Sequence, residues 1–134
     1  MKIILKIFLA LFSLVMLWSC EKNKSYEVNV DVDAIEADCA SASYYLSIDT
    51  DGPWTAEVRS SSGFNVKWIA LKPSSGKGPA VIELKVKEND TYDERSAILV
   101  VTSGSGKTVS ATVRQKARSA ASDYMLMLRL GNFN

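Results

Sequence analysis

Histidine is absent from all 134 residues, and that absence removes more chemistry than any single residue present supplies. Without an imidazole there is no Ser–His or Cys–His nucleophile pair, no histidine metal ligand, and no side chain that ordinarily titrates near neutrality. A two-carboxylate glycosidase would escape this limit, but it needs a deep cleft between its acids, and so short a chain has little to spare for one. The sequence therefore reads as non-catalytic, with no cofactor and no metal. An excess of one charge is also lacking. Lys and Arg number 16 against 15 Asp and Glu, so no basic field exists to attract nucleic acid. Cysteine occurs only at positions 20 and 39. The one long apolar run, Ile7 to Trp18, is too short to span a bilayer as a helix.

That run has another meaning. Lys2 and Lys6 flank its start, and Ser19-Cys20 closes it, which is the order of a secretory signal: charged region, short apolar region, small residue before the cut. Leu17, Ser19 and Cys20 in "LWSC" resemble a bacterial lipobox, although Trp18 is bulkier than usual there. The expectation is a signal peptide over 1–19, Cys20 acylated as the new first residue, and a short polar tether over 20–25. Removing Lys2 and Lys6 leaves 14 basic residues against 15 acidic, a mature charge near −1. Acylation would consume the Cys20 thiol and leave Cys39 unpaired. The chain is then expected on a membrane of the bacterial envelope, most simply the outer membrane.

From Tyr26 onward the apolar residues recur with period two, which places them on one face of an extended strand. The segments are Tyr26–Val32, Tyr44–Ile48, Trp54–Val58, Val66–Trp68, Ile82–Val86, Ala97–Val101 and Val109–Val113. Between them lie "DTDGP", "RSSSG", "KPSSGKG", "KENDTYDE" and "SGSGK", whose Gly, Pro, Asp, Asn and Ser favour chain reversal. Short strands at this spacing predict an all-β, immunoglobulin-like sandwich over 26–117. Alternation places Trp54 and Trp68 inward, as core. The tail over 118–134 is ambiguous: Tyr124, Leu126, Leu128 and Leu130 share a strand face, while Ala117, Ala121, Tyr124 and Leu128 share a helix face.

Two segments imitate ligand loops and fail. "SSGKG" lacks the upstream glycine and the Ser or Thr after Lys77 that a phosphate loop needs, and a strand pattern follows it instead of a helix. "DTDG" at 49–52 begins like a calcium loop, but no bidentate Glu follows at the required distance. Both read as turns.

The remaining order of residues is more specific. Trp54 follows a turn; Trp68-Ile69 leads to Ser75-Gly76-Lys77-Gly78; Asn89 and Thr91 precede Arg95; Gln115 closes the last strand. This series resembles the BACON domain, the Bacteroidetes-associated, carbohydrate-binding, often N-terminal module. The resemblance implies an immunoglobulin-like fold in an envelope protein concerned with glycans. Two roles follow. In one, exposed aromatics at strand edges or in loops (Tyr44, Tyr45, Phe64 and Tyr92) stack on carbohydrate or on a mucin-type glycoprotein. In the other, the sandwich is a spacer or adaptor and the apolar tail binds another envelope protein.

Overall fold

The computed structural model describes residues 24–131, so the expected signal peptide and Cys20 lie outside the described residues. The elements are β1 (Val28–Val30), β2 (Ala34–Ala37), β3 (Ala42–Thr50), β4 (Pro53–Arg59), β5 (Ile69–Lys72), β6 (Ser75–Lys77), β7 (Ala80–Val86), β8 (Arg95–Ser103), β9 (Thr108–Gln115) and a helix, α1 (Ala120–Gly131). The strands form two sheets, ordered β1-β3-β7-β5 and β2-β9-β8-β4-β6. Their alternate residues meet in one core that includes Leu46, Ile48, Ile82, Leu84, Val86, Leu99, Val101 and Val113, all buried. This is the sandwich that the period-two pattern predicts.

The first strand serves both sheets. β1 runs antiparallel to β3, with Val30 opposite Ile48. The chain then crosses over Asp31–Asp33, and β2 continues in the other sheet parallel to β9, with Ala34 opposite Thr112. As a result only the upper part of β3, from Ile48 to Thr50, has β1 beside it. Asp31 extends this contact by one residue, its backbone N–H donating to the Ser47 carbonyl at 3.2 Å while its carboxylate accepts from the Ser47 N–H at 3.0 Å.

Three expectations change. The strand expected over Val66–Trp68 is displaced: Asn65 makes an isolated bridge to Arg59, and regular pairing begins at Ile69 against Val86. Trp68 is accordingly only partly buried, packed against the core from its margin instead of within it. "KPSSGKG" is not only a turn, because Ser75–Lys77 adds an edge strand to β4. Gly76 fits there because it lies on the Trp54 indole, and a Cβ at that position would come within 2.8 Å of the ring.

The tail is a helix. Ala120 onward is rich in Ala, Met and Leu, good helix formers, and has no β-branched residue or proline. Gly131 and Arg129 sit at its end, where glycine terminates helices and a cation suits the dipole. No helix among the described residues is long and apolar enough to cross a membrane.

Candidate functional site

At the lower end of the sandwich, below the first residue of β3, the polar residues singled out in the sequence converge on one another. Gln115 is fully buried and its amide ties together the Asp38-Cys39 loop, Lys87 at the end of β7 and Arg95 at the start of β8. Its Nε2 donates to the carbonyls of Lys87 (2.9 Å), Asp38 (3.1 Å) and Cys39 (3.3 Å), and its Oε1 accepts from Arg95 Nε at 2.8 Å. Arg95 donates further to the carbonyls of Lys87 and Glu88, at 2.9 and 2.8 Å, and its guanidinium lies 4.5 Å from the centre of the Trp68 ring. Burial lowers the Arg95 pKa from its ordinary value, with Asp90 opposing. An arginine stays charged in either case.

Asn89 completes the knot. Its Nδ2 donates to the carbonyls of Asp93 and Lys116, at 2.9 and 3.0 Å, while its Oδ1 accepts from the Thr91 hydroxyl at 2.8 Å. Beside it Lys116 donates to Asp38 at 2.9 Å, and this hydrogen bond is the main reason its pKa rises. Every hydrogen-bonding group of the Asn89 and Gln115 amides is thus used within the fold. Buried polar groups need such partners, and satisfied ones have little left to offer a ligand. The most motif-like residues of the chain therefore hold loops in place.

Trp54 plays the matching part at the upper end. It is only 2% exposed, and its Nε1 donates to the Gly78 carbonyl at 3.1 Å. The indole thereby joins β4 to the glycine turn that closes β6.

Surface chemistry lies elsewhere. Of the four aromatic ligand candidates, Tyr44 points inward and packs partly buried against the core, so it offers no open ring face. Tyr45, Phe64 and Tyr92 are 68%, 74% and 67% exposed. They do not share an element. Phe64 sits in the β4–β5 loop, fixed by its N–H donating to the Ser60 hydroxyl at 3.2 Å, and Tyr92 lies in the β7–β8 loop. Tyr45 stands on the outer face of the four-stranded sheet, where register surrounds it with polar groups that the sequence alone could not assemble. Glu83 is directly opposite on β7 and Lys72 follows on β5; Ser43 and Ser47 flank it on β3; Lys85 and the exposed Val81 lie opposite those serines. The Ser43 hydroxyl donates to Glu83 at 2.8 Å.

A cleft of about 730 Å³ opens between the lower loops and α1, lined by Cys39, Ala40, Ser41, Glu88, Asn89, Arg118, Met125, Leu126 and Arg129. Cys39 is a free thiol there. Among the described residues, no three His, Cys, Asp or Glu side chains group to hold a metal.

Residues 52–116 match the family model BACON, described as "Putative binding domain, N-terminal". No curated protein matches the sequence. In structure the chain is similar to a Bacteroides ovatus GH5 xyloglucanase solved with a XXXG heptasaccharide, with TM-score 0.60 and 23% identity over 71% of this chain and 19% of that one. It is also similar to the periplasmic chaperone SfaE (TM-score 0.56, 8% identity, 69% of this chain and 59% of that one). A third likeness is to titin domain M7 (TM-score 0.51, 14% identity, 72% and 98%). At these identities the shared property is the immunoglobulin-like sandwich.

Proposed function

We propose, since residues 52–116 match the BACON family model, that the chain is a non-catalytic lipoprotein of the bacterial cell envelope, anchored through Cys20 in the outer membrane. Its sandwich holds carbohydrate, free or displayed on a mucin-type glycoprotein. The observation that carries this reading is Tyr45, exposed on the outer face of the four-stranded sheet. An aromatic ring in that position can lie against the C–H face of a pyranose, while the hydroxyls of Ser43 and Ser47, the Glu83 carboxylate and the Lys72 and Lys85 ammonium groups serve the sugar hydroxyls. Phe64 and Tyr92 offer separate, smaller contacts on the loops.

Two chains on one cysteine anchor stably where one is marginal. The Cys20→Ser chain is therefore expected to leave the membrane fraction and to lose lipid label; unchanged membrane association would refute the anchor. The released protein also serves the ligand test. Screened against plant polysaccharides, host glycans and mucin, it should bind at least one with a dissociation constant near millimolar, about −4 kcal/mol, because an open face buries little of a sugar. Binding should survive a chelator and change little between about pH 6 and 8, the range in which a histidine would titrate. Tyr45→Ala should weaken it by about fivefold, roughly the 1 kcal/mol that a stacked ring contributes. The reading fails if the folded chain retains no glycan, or if Tyr45→Ala, Phe64→Ala and Tyr92→Ala all bind as well as their parent.

One observation favours the second reading, a spacer or adaptor that meets another envelope protein through its tail. Met125, Leu126, Met127, Leu128 and Leu130 of α1 are each at least half exposed. If Leu128→Glu abolishes capture of an envelope protein while the glycan screen stays empty, the adaptor role replaces the carbohydrate role.

A further inference from the structure

The switch of the first strand between sheets leaves part of β3 without a neighbour. Both backbone groups of Ser47 turn toward Asp31, on the β1 side of β3. Backbone groups alternate along a strand, so the N–H and C=O of Tyr45 and Ser43 face the same side. There β1 has already ended at Val30, and among the described residues nothing pairs with β3 from Ala42 to Leu46 on that side.

Open edges invite pairing with another chain, and proteins usually blunt them with charge, proline or very short strands. The four terminal strands are treated in this way, β1 by its length of only three residues. β2 carries Glu36 between Asp33 and Asp38; β5 ends at Lys72-Pro73; β6 is three residues long, with Pro73 and Pro79 on either side. The free stretch of β3 reads Ala-Ser-Tyr-Tyr-Leu, with no charge and no proline.

We propose that this edge is a docking site for an extended peptide segment of another protein, added antiparallel to β3 in the column that β1 vacates. The space accepts about five residues at about 3.4 Å each. Asp31 bounds it above, and the cleft beside α1, lined by Ser41, Met125, Leu126 and Arg129, lies below. A strand antiparallel to β3 runs downward, so its C-terminal end reaches the cleft. Charge fits that direction: a cationic N-terminal end meets Asp31, and a carboxylate at the C-terminal end meets Arg129, with an apolar side chain against Met125 and Leu126. Main-chain hydrogen bonds to Ser43 and Tyr45 would supply the affinity, and the two ends the specificity.

A second copy fits less well. Two β3 edges paired about a two-fold axis would place the other copy's β1 below Ala42, where Cys39–Ser41 already lies. The site uses the backbone edge of β3, so it is independent of any carbohydrate on the Tyr45 ring.

The test uses the Cys20→Ser chain and one probe peptide: alternating threonine and valine, a lysine at the N-terminal end and leucine-glutamate at the C-terminal end. Binding is followed by calorimetry and by hydrogen exchange. The peptide should bind and slow exchange of the Ser43 and Tyr45 amides. The same peptide N-methylated on alternate residues should bind at least about tenfold more weakly, since losing two main-chain bonds of about 1 kcal/mol removes more than one decade. Tyr45→Pro, which removes the edge N–H together with the ring and fixes φ, should reduce binding by at least about fivefold, whereas Tyr45→Ala, which removes the ring but keeps the N–H, should not. Equal binding by the methylated peptide, or slowed exchange confined to the cleft, would overturn the edge as the site. Absence of binding by the folded chain would overturn the peptide proposal. A dimer of the full chain that Tyr45→Pro dissociates would assign the edge to a second copy instead.

Discussion

Trp54→Ala is expected to lower the unfolding free energy by about 3–5 kcal/mol, the cost of emptying a buried aromatic site that cannot collapse. Collapse is prevented on both sides. Gly76 lies on the indole and Ser103 is paired opposite on β8, so the backbone of two neighbouring strands would have to move to fill the space. The loss also frees the Gly78 carbonyl that Nε1 now satisfies. Against the 5–15 kcal/mol typical of a domain, such a change leaves little margin. Trp68→Ala provides the internal comparison. Trp68 is only partly buried and its ring is covered by Arg95, so about 1–3 kcal/mol should be lost from partial burial and the cation–ring contact. Urea denaturation of both variants checks the order. If Trp68→Ala proves the more damaging, or Trp54→Ala melts like its parent, the division between central and marginal indole is wrong.

Gln115→Ala should come second, at about 2–3 kcal/mol, because it leaves the partly buried Arg95 Nε and the Asp38 carbonyl without a partner and takes one of two donors from the Lys87 and Cys39 carbonyls. The distribution of the damage is as informative as its size. The Asn89 N–H donates to the Cys39 carbonyl and the Lys116 N–H to the Ala37 carbonyl, so these amides report on the lower loops. They should exchange faster in Gln115→Ala, while core amides of β3 and β7 change only as global stability does. Gln115→Glu separates the two halves of the role. A carboxylate keeps the Arg95 pairing but cannot donate to the carbonyls, so stability should still fall. Wild-type protection of Asn89 and Lys116 in either variant would show that the loops are held by something other than Gln115.

The same knot shows where reading a sequence stops. Asn89, Thr91, Arg95 and Gln115 stand out in the order that resembles the BACON domain, yet their separation along the chain gives no hint that they touch. The structure brings them together because β8 and β9 pair with Arg95 opposite Gln115. Tyr45 is a similar case. Its exposure follows from alternation on β3, but the company of Glu83 and Lys72 depends on the register of two further strands.

Alternation is a local property, and so the sequence by itself determined the longer strands β3, β4, β7, β8 and β9 and which of their residues face inward. Trp54 is legible for this reason. Elements whose stability is borrowed from elsewhere are not. β2, with Ile35 as its only large apolar residue, is a strand because β9 offers it a parallel edge, and the three residues of β6 pair because β4 and the Trp54 indole hold them. The tail satisfied two periodicities equally, and its helix-forming composition carried the choice. Tyr44 and Trp68 changed standing because burial near the end of a sandwich depends on which loops cover it. Only the tertiary structure decided that the first strand changes sheets at Asp31–Asp33, and with it that the lower edge of β3 stays open. That choice balances pairing with β3 against pairing with β9, two partners far apart in sequence, and no local pattern in Val28–Ala37 records the result.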